Sequence, residues 1–263
     1  MGIRDRKVNR DKMAQDQQEA KARGGTSFLR FKDPGQYLVY LPPPGRDEDE
    51  DVYVEVFVHN VGKGKNYKPV LCLDTEANAI LNDDRMVAFL ETPIELDGCP
   101  RCEARDLAKN DQAKRDIGRR RSYYMNMVLM GTRKDARKDW DRIDDNDLKV
   151  QLAVIGSTIW DGIIDVFLED GDVCDPSGAI LLVITRSGTG QKDTEYKVST
   201  DRATLNKPIE LPESLIEKLE EALQPGGSGD LYKAISRDLK SRDEIGGLLS
   251  GKKVEVDEDE DEN

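Results

Sequence analysis

The chain carries one histidine and four cysteines, and three of the cysteines share a stretch with the histidine: His59, Cys72, Cys99 and Cys102. Zinc is held best by four nitrogen and sulfur ligands in a tetrahedron, and the pair Cys99-Pro100-Arg101-Cys102 supplies two thiolates from one tight turn. His59 and Cys72 supply the other two. The segment between them holds Gly62, Gly64 and Asn66, so a strand ending at His59 is expected to turn back and present Cys72 beside it. Four protein ligands leave no open position, so the expected Zn2+ is structural. The same residues have two other readings, reduced buried thiols around a core histidine and a redox-active dithiol; the pair does not follow a buried strand as a redox motif would. Cys174 has no Cys-x-x-Cys partner and reads as a free thiol, its alternative being to replace His59.

A second set of residues suits a different chemistry. From Arg105 to Arg142 there are twelve Lys/Arg against six Asp, a local charge of +6 in a chain whose net charge is −13. Within it, Arg119, Arg120 and Arg121 run straight into SYYMNMVLM. Single-stranded nucleic acid is held by cations along the phosphate track and by flat rings on which unpaired bases stack, each stacked base worth about 1–3 kcal/mol. Tyr124 and Asn126 share one face of such a strand and Tyr123 the other, so only one tyrosine is expected to face a groove. Further contacts are expected from Lys63, Lys65, Tyr67 and Lys68 in the loop after His59, from Arg133, Lys134, Arg137, Lys138 and Trp140 in the loop after the strand, and from Arg186. The plain reading of each is a solvated charged face or ordinary packing.

The elements that must position these groups read mainly as strands. FLRF, YLVYLPPP and VYVEVFVHN alternate and are rich in β-branched and aromatic residues, with Pro42-Pro43-Pro44 as a stop. Tyr53, Glu55 and Phe57 share one face; it is core, or a surface for bases or for more protein. The insert from Thr75 to Pro93 is expected to be helical beside the metal, and residues 103–121 helical up to the three arginines. LKVQLAVIG is a strand. STIWDGIIDVFLED is a helix with Ser157 as its cap and Trp160 in its apolar stripe. GAILLVITRSG and EYKVSTDRA are strands. Five or six strands with one helix between them suit an oligonucleotide-binding (OB-fold) barrel, with the zinc-binding subdomain, about 59–121, inserted into a core of 26–208. LPESLIEKLEEALQ and LYKAISRDLK make a C-terminal helical segment, 209–245.

The ends differ in charge. Residues 1–25 form a basic arm with Arg4, Arg6, Lys7, Arg10 and Lys12, read as a disordered tail or as reaching the DNA or a neighbouring protomer. Residues 246–263 read as linker and disordered acidic tail with seven acidic residues, a solubility device or a tethered polyanion that competes with DNA for the basic groove. Without those seven charges the rest still carries −6, so DNA binding must rest on the local patch. Charged residues are 35% of the chain and mean hydropathy is −0.67, so the globular part is expected to be smaller than the chain. No run approaches the ~20 apolar residues of a membrane span and no leader resembles a secretory signal. With cysteine spacing that suits metal and not a disulfide framework, the expected location is cytoplasmic.

In order, these features resemble the single-stranded DNA-binding, helix-destabilising proteins of T-even bacteriophages: YLVYLPPP, His59, Cys72, Cys99-Pro100-x-Cys102, Ser122-Tyr123-Tyr124-x-Asn126, Ile159-Trp160-Asp161, GAILLVITRSG and an acidic C-terminus. The resemblance covers about residues 26–190 and the two ends. It implies an OB-fold with an embedded zinc subdomain, cooperative coating of single strands through the N-terminus, and replication and recombination partners met through the acidic tail. This chain departs in a longer segment from Leu73 to Gly98 and in having no clear match to the short basic N-terminal motif.

With the one histidine on zinc, His-based nucleases and Ser-His or Cys-His hydrolases are not expected, and no GxxxxGK[ST] phosphate loop is present. The expected function is therefore non-catalytic, and the resemblance implies a protein that coats and protects unwound DNA in phage replication, recombination and repair. The alternative is a zinc-ribbon adaptor that binds proteins of a replication or transcription complex and not DNA.

Overall fold

The structure is a computed structural model that describes residues 28–44, 52–61, 68–90, 98–189 and 193–250. Its organising element is the 15-residue strand β5 (Arg119–Arg133), which is flanked by different strands at its two ends. On one edge, the first half of β5 pairs antiparallel with β3 (Tyr53–Val61) and the second half with β2 (Gly35–Tyr40). On the other edge it pairs with β7 (Val150–Gly156) and the short β6 (Asp141–Arg142). The short β4 (Lys68–Leu71) turns back on β3. The sheet then extends from β2 to β8 (Leu182–Ser187) and β9 (Glu195–Thr200), and from β7 to β1 (Phe28–Leu29), the one parallel pair among the described residues.

The helices are α1 (Asp84–Val87), α2 (Pro100–Asp106), α3 (Asp111–Ile117), α4 (Ser157–Asp170), α5 (Arg202–Asn206), α6 (Glu213–Ala222), α7 (Leu231–Asp238) and α8 (Arg242–Ser250). None of them is long and apolar enough to cross a membrane. The closed barrel expected from the strand count is not formed among the described residues. The pairing runs β1-β7-β5-β2-β8-β9, and no ladder joins β9 back to β1 or β7. The chain after β1 approaches that seam, where Tyr196 of β9 donates to the Phe31 carbonyl at 3.5 Å and Arg186 of β8 to the Lys32 carbonyl.

Every residue from Tyr123 to Val128 is buried. A strand covered on both faces shows a continuous apolar run instead of alternation, and β5 is such a strand. Tyr123, Met125 and Met127 enter a core with Val39, Leu41, Ile159, Ile163, Leu182 and Ile184. On the other face Tyr124 joins a core with Val56, Val58, Cys72, Cys99, Cys102, Leu231, Ile235 and Ile245. Val128 and Met130 meet Leu38, Tyr40, Leu215 and Leu219 in a third.

Three local expectations are corrected. The cap of α4 is Gly156, with no side-chain hydrogen bond, so Ser157 is the first helical residue. Residues 103–121 are not one helix: α3 ends at Ile117, Gly118 caps it, and Arg119 to Arg121 already belong to β5. Residues 246–250, read as the start of the linker, lie in α8, which docks because Ile245 is fully buried against the core that holds the cysteines.

Candidate metal centre and the basic strand beside it

His59, Cys72, Cys99 and Cys102 are brought together by three elements. His59 lies near the end of β3, where β4 pairs back on it with His59 opposite Val70. Cys72 follows β4, and its amide donates to the Phe57 carbonyl at 2.8 Å. Cys99 caps α2, Pro100 occupies the first turn where its missing N–H costs nothing, and Cys102 sits one turn in. One ligand atom from each lies within 4.8 Å of all the others, and all four residues are buried.

Two of the donor separations come close to those of a tetrahedral site. Thiolates at about 2.3 Å from a shared ion lie roughly 3.8 Å apart; Cys72 Sγ and Cys102 Sγ are 3.5 Å apart, and Cys102 Sγ is 3.4 Å from His59 Nε2. His59 Nδ1 is 3.2 Å from the Ile117 carbonyl, an acceptor only, so the proton belongs on Nδ1 and the lone pair on Nε2 faces the sulfurs. The cysteines are free thiols. A hydrogen bond with Cys72 lowers the pKa of Cys99 far below the ordinary thiol value, with burial opposing it. The same bond and then burial raise Cys72, and burial chiefly raises Cys102. Four protein side chains converge here, so the group can hold a metal ion.

Around the ligands stands a shell that sequence reasoning missed. Asn78 is buried and its amide replaces a strand: it accepts from Phe57 N at 2.8 Å and donates to Phe57 O at 3.1 Å and Cys72 O at 2.8 Å. No pattern in the sequence marks it. Arg242 of α8 forms a two-pronged bond with Glu103 of α2, both arms 2.8 Å, and donates to Gly98 O at 3.1 Å. Tyr124 donates to Asp238 at 2.7 Å, tying β5 to α7. Cys174 stands apart in the core beside α4; burial pushes its thiol up to about 12, and Tyr40 donates to its carbonyl at 2.6 Å.

The residues expected to meet DNA are dispersed. Arg120 and Arg121 are exposed at the start of β5; Arg119 pairs with Asp74 at 2.8 Å and Arg121 with Glu55 at 3.1 Å. Tyr123 and Tyr124 are 2% and 4% exposed, so neither ring is open to a base in this structure. Tyr123 stacks on Trp160 at 4.7 Å, which accounts for the tryptophan in the α4 stripe. Asn126 is buried and donates to Gly229 O at 2.7 Å. Lys134, Arg137 and Lys138 are exposed at the far end of β5, and Arg133 sits over the half-buried Trp140 ring at 3.9 Å. Arg186 also donates to Thr194. Lys68 pairs with Val61 through its backbone. Lys63, Lys65 and Tyr67, the arm 1–25 and the acidic tail lie outside the described residues.

The two basic groups do not share a face. Val39 pairs with Leu129 and Leu38 with Gly131, so Met130 is an extra residue that exchanges the faces of β5 beyond it. At about 3.3 Å per residue, Arg121 and Arg133 stand on the order of 40 Å apart along the strand. Compared with known proteins, the chain matches no family model, and no curated protein is significantly similar to it.

Proposed function

We propose that this chain is a non-catalytic single-stranded DNA-binding protein whose His-Cys-Cys-Cys group holds a structural zinc ion. Three thiolates and an imidazole in a closed tetrahedron suit zinc above harder or open-coordinated ions. The observation that carries the DNA reading is where the metal group sits in the strand order. The path β7-β5-β2-β8-β9, with α4 between β7 and β8, follows the order of an OB-fold barrel whose first strand is β2 and second is β5. OB-folds bind nucleic acid at the second and third strands and in the loops joining strands one to two and four to five. Here the metal group occupies the first of those loops and delivers Arg119, Arg120 and Arg121 at the start of the second strand. Arg186 precedes the other loop.

On this reading zinc fixes the approach of the basic strand, and the protein coats unwound DNA in phage replication, recombination and repair, in the cytoplasm of the infected cell. The basic arm reaches a neighbouring protomer and the acidic tail meets replication proteins. A protein-binding zinc adaptor is the second reading, favoured by Leu107, 83% exposed between α2 and α3 on the metal group.

Oligonucleotide affinity measured against salt tests the choice. Each phosphate contact on a single strand adds about −0.7 to the slope of log K against log salt. Arg120→Ala and Arg121→Ala should each flatten that slope by about this amount. Slopes unchanged by both variants would favour the adaptor.

A further inference from the structure

Burial removes Tyr123 and Tyr124 as open stacking surfaces, yet the start of β5 still carries an aromatic ring among cations. Phe57 of β3 lies directly opposite Arg121, and Arg119 is its diagonal neighbour two residues earlier on β5. The Arg119 and Arg121 guanidiniums stand 5.3 Å and 5.6 Å from the Phe57 ring centroid, and the ring is half-buried. The Arg121 side chain retains 53% of its exposure and that of its partner Glu55 38%, so among the described residues this part of the sheet is uncovered.

We infer that Phe57 is the platform on which one unpaired base stacks, with Arg119 and Arg121 gripping the phosphates on either side; this rests on the single-stranded DNA reading above. A phenyl ring offers a π-face to any base without sequence preference, and neighbouring guanidiniums add charge at phosphate spacing. Asp74 and Glu55 now occupy the two guanidiniums. A phosphodiester presents the same oxygen fork to a guanidinium as a carboxylate does, and an ion pair as exposed as Arg121–Glu55 is weak enough to be exchanged. Entry of the strand exchanges Glu55 for phosphate on Arg121, so Glu55 acts as a competitor inside the site. Trp140 at the other end of β5 is the comparable ring, but Arg133 lies close over it and Arg133 is itself bonded to Gln36 at 2.6 Å.

The test is a titration of the full chain with oligo-dT at two salt concentrations, on Phe57→Leu, Phe57→Trp, Glu55→Gln and the unaltered protein. Leucine keeps the apolar bulk and removes the stacking face. Phe57→Leu should bind roughly 5- to 150-fold more weakly, with its salt slope unchanged because no charge is lost. Phe57→Trp should bind about as tightly as the unaltered chain, and the added indole emission should be quenched by DNA. Glu55→Gln should bind more tightly. Binding of Phe57→Leu within about twofold of the unaltered protein, or an indole at position 57 that DNA does not quench, would overturn the platform while leaving the DNA reading intact. An unaltered protein that binds no single strand would overturn both.

Discussion

His59 and Arg119 are cross-strand partners. The ligand that closes the metal group and the first arginine of the basic run therefore share one rung of the sheet, and whatever fixes the imidazole fixes the start of β5. The Ile117 carbonyl, two residues before that arginine, holds the same ring. The ligand cluster, the Ile117 carbonyl and the start of β5 form one mechanical unit.

Chelation should therefore reach beyond the ligands. Leu231, Ile235, Leu239 and Ile245 pack in the core that contains Cys72, Cys99 and Cys102. Structural zinc in small modules contributes an apparent ~10–16 kcal/mol to folding. The purified chain should hold one equivalent of zinc, and removing it should raise hydrogen exchange in residues 98–117 and in α7 and α8 together. Exchange confined to 98–117 would show that the C-terminal helices stand independently of the site.

The Asn78 amide makes a sharper local prediction. Asn78→Ala leaves Phe57 N, Phe57 O and Cys72 O without their side-chain partner in a buried setting. The expected cost is about 2–4 kcal/mol of stability and a roughly 10- to 100-fold loss of zinc affinity, as for other partners of metal ligands. Competition with a chromophoric chelator reads the second quantity.

Two contacts of α8 should differ in weight. The Arg242–Glu103 pair is partly exposed, with side-chain exposures of 39% and 51%, so Arg242→Ala should cost no more than about 1 kcal/mol. Ile245→Ala opens a void in a closed core and should cost about 2–5 kcal/mol. Urea melts of both variants compare them directly.

Stability should fall in alkali in a traceable way. Burial, chiefly, raises the phenols of Tyr40 and Tyr124 well above the ordinary tyrosine range. In the unfolded chain each ionises near pH 10. Their contribution is thus complete below about pH 10 and is lost as pH rises further, by up to about 1.4 kcal/mol per pH unit for each. Tyr124→Phe should reduce that slope, and should cost about 1.5–3 kcal/mol at neutral pH for the lost bond to Asp238.

The metal group was legible because its chemistry is carried by rare residues at short spacing. The strands and α4 were legible by period. The burial of β5 was not, because alternation predicts one covered face and Tyr123 to Val128 have two: α4 lies over one, α6 to α8 over the other. The helices over the second face begin only at Glu213, far along the chain from β5, and nothing in SYYMNM announces them. The helical state of Arg242–Ser250 was hidden by Gly246-Gly247, whose weak helix propensity is overridden by the docking of Ile245. The open seam between β7 and β9 depends on long-range geometry that strand counting does not contain.

The proposed function requires a preference for single strands over duplex. Intrinsic fluorescence of the full chain should be titrated with oligo-dT and with a matched duplex at low and moderate salt. Tight, salt-sensitive binding of the single strand and much weaker binding of the duplex are expected. Equal affinity for both, or no binding of either even after removal of residues 251–263, would contradict it.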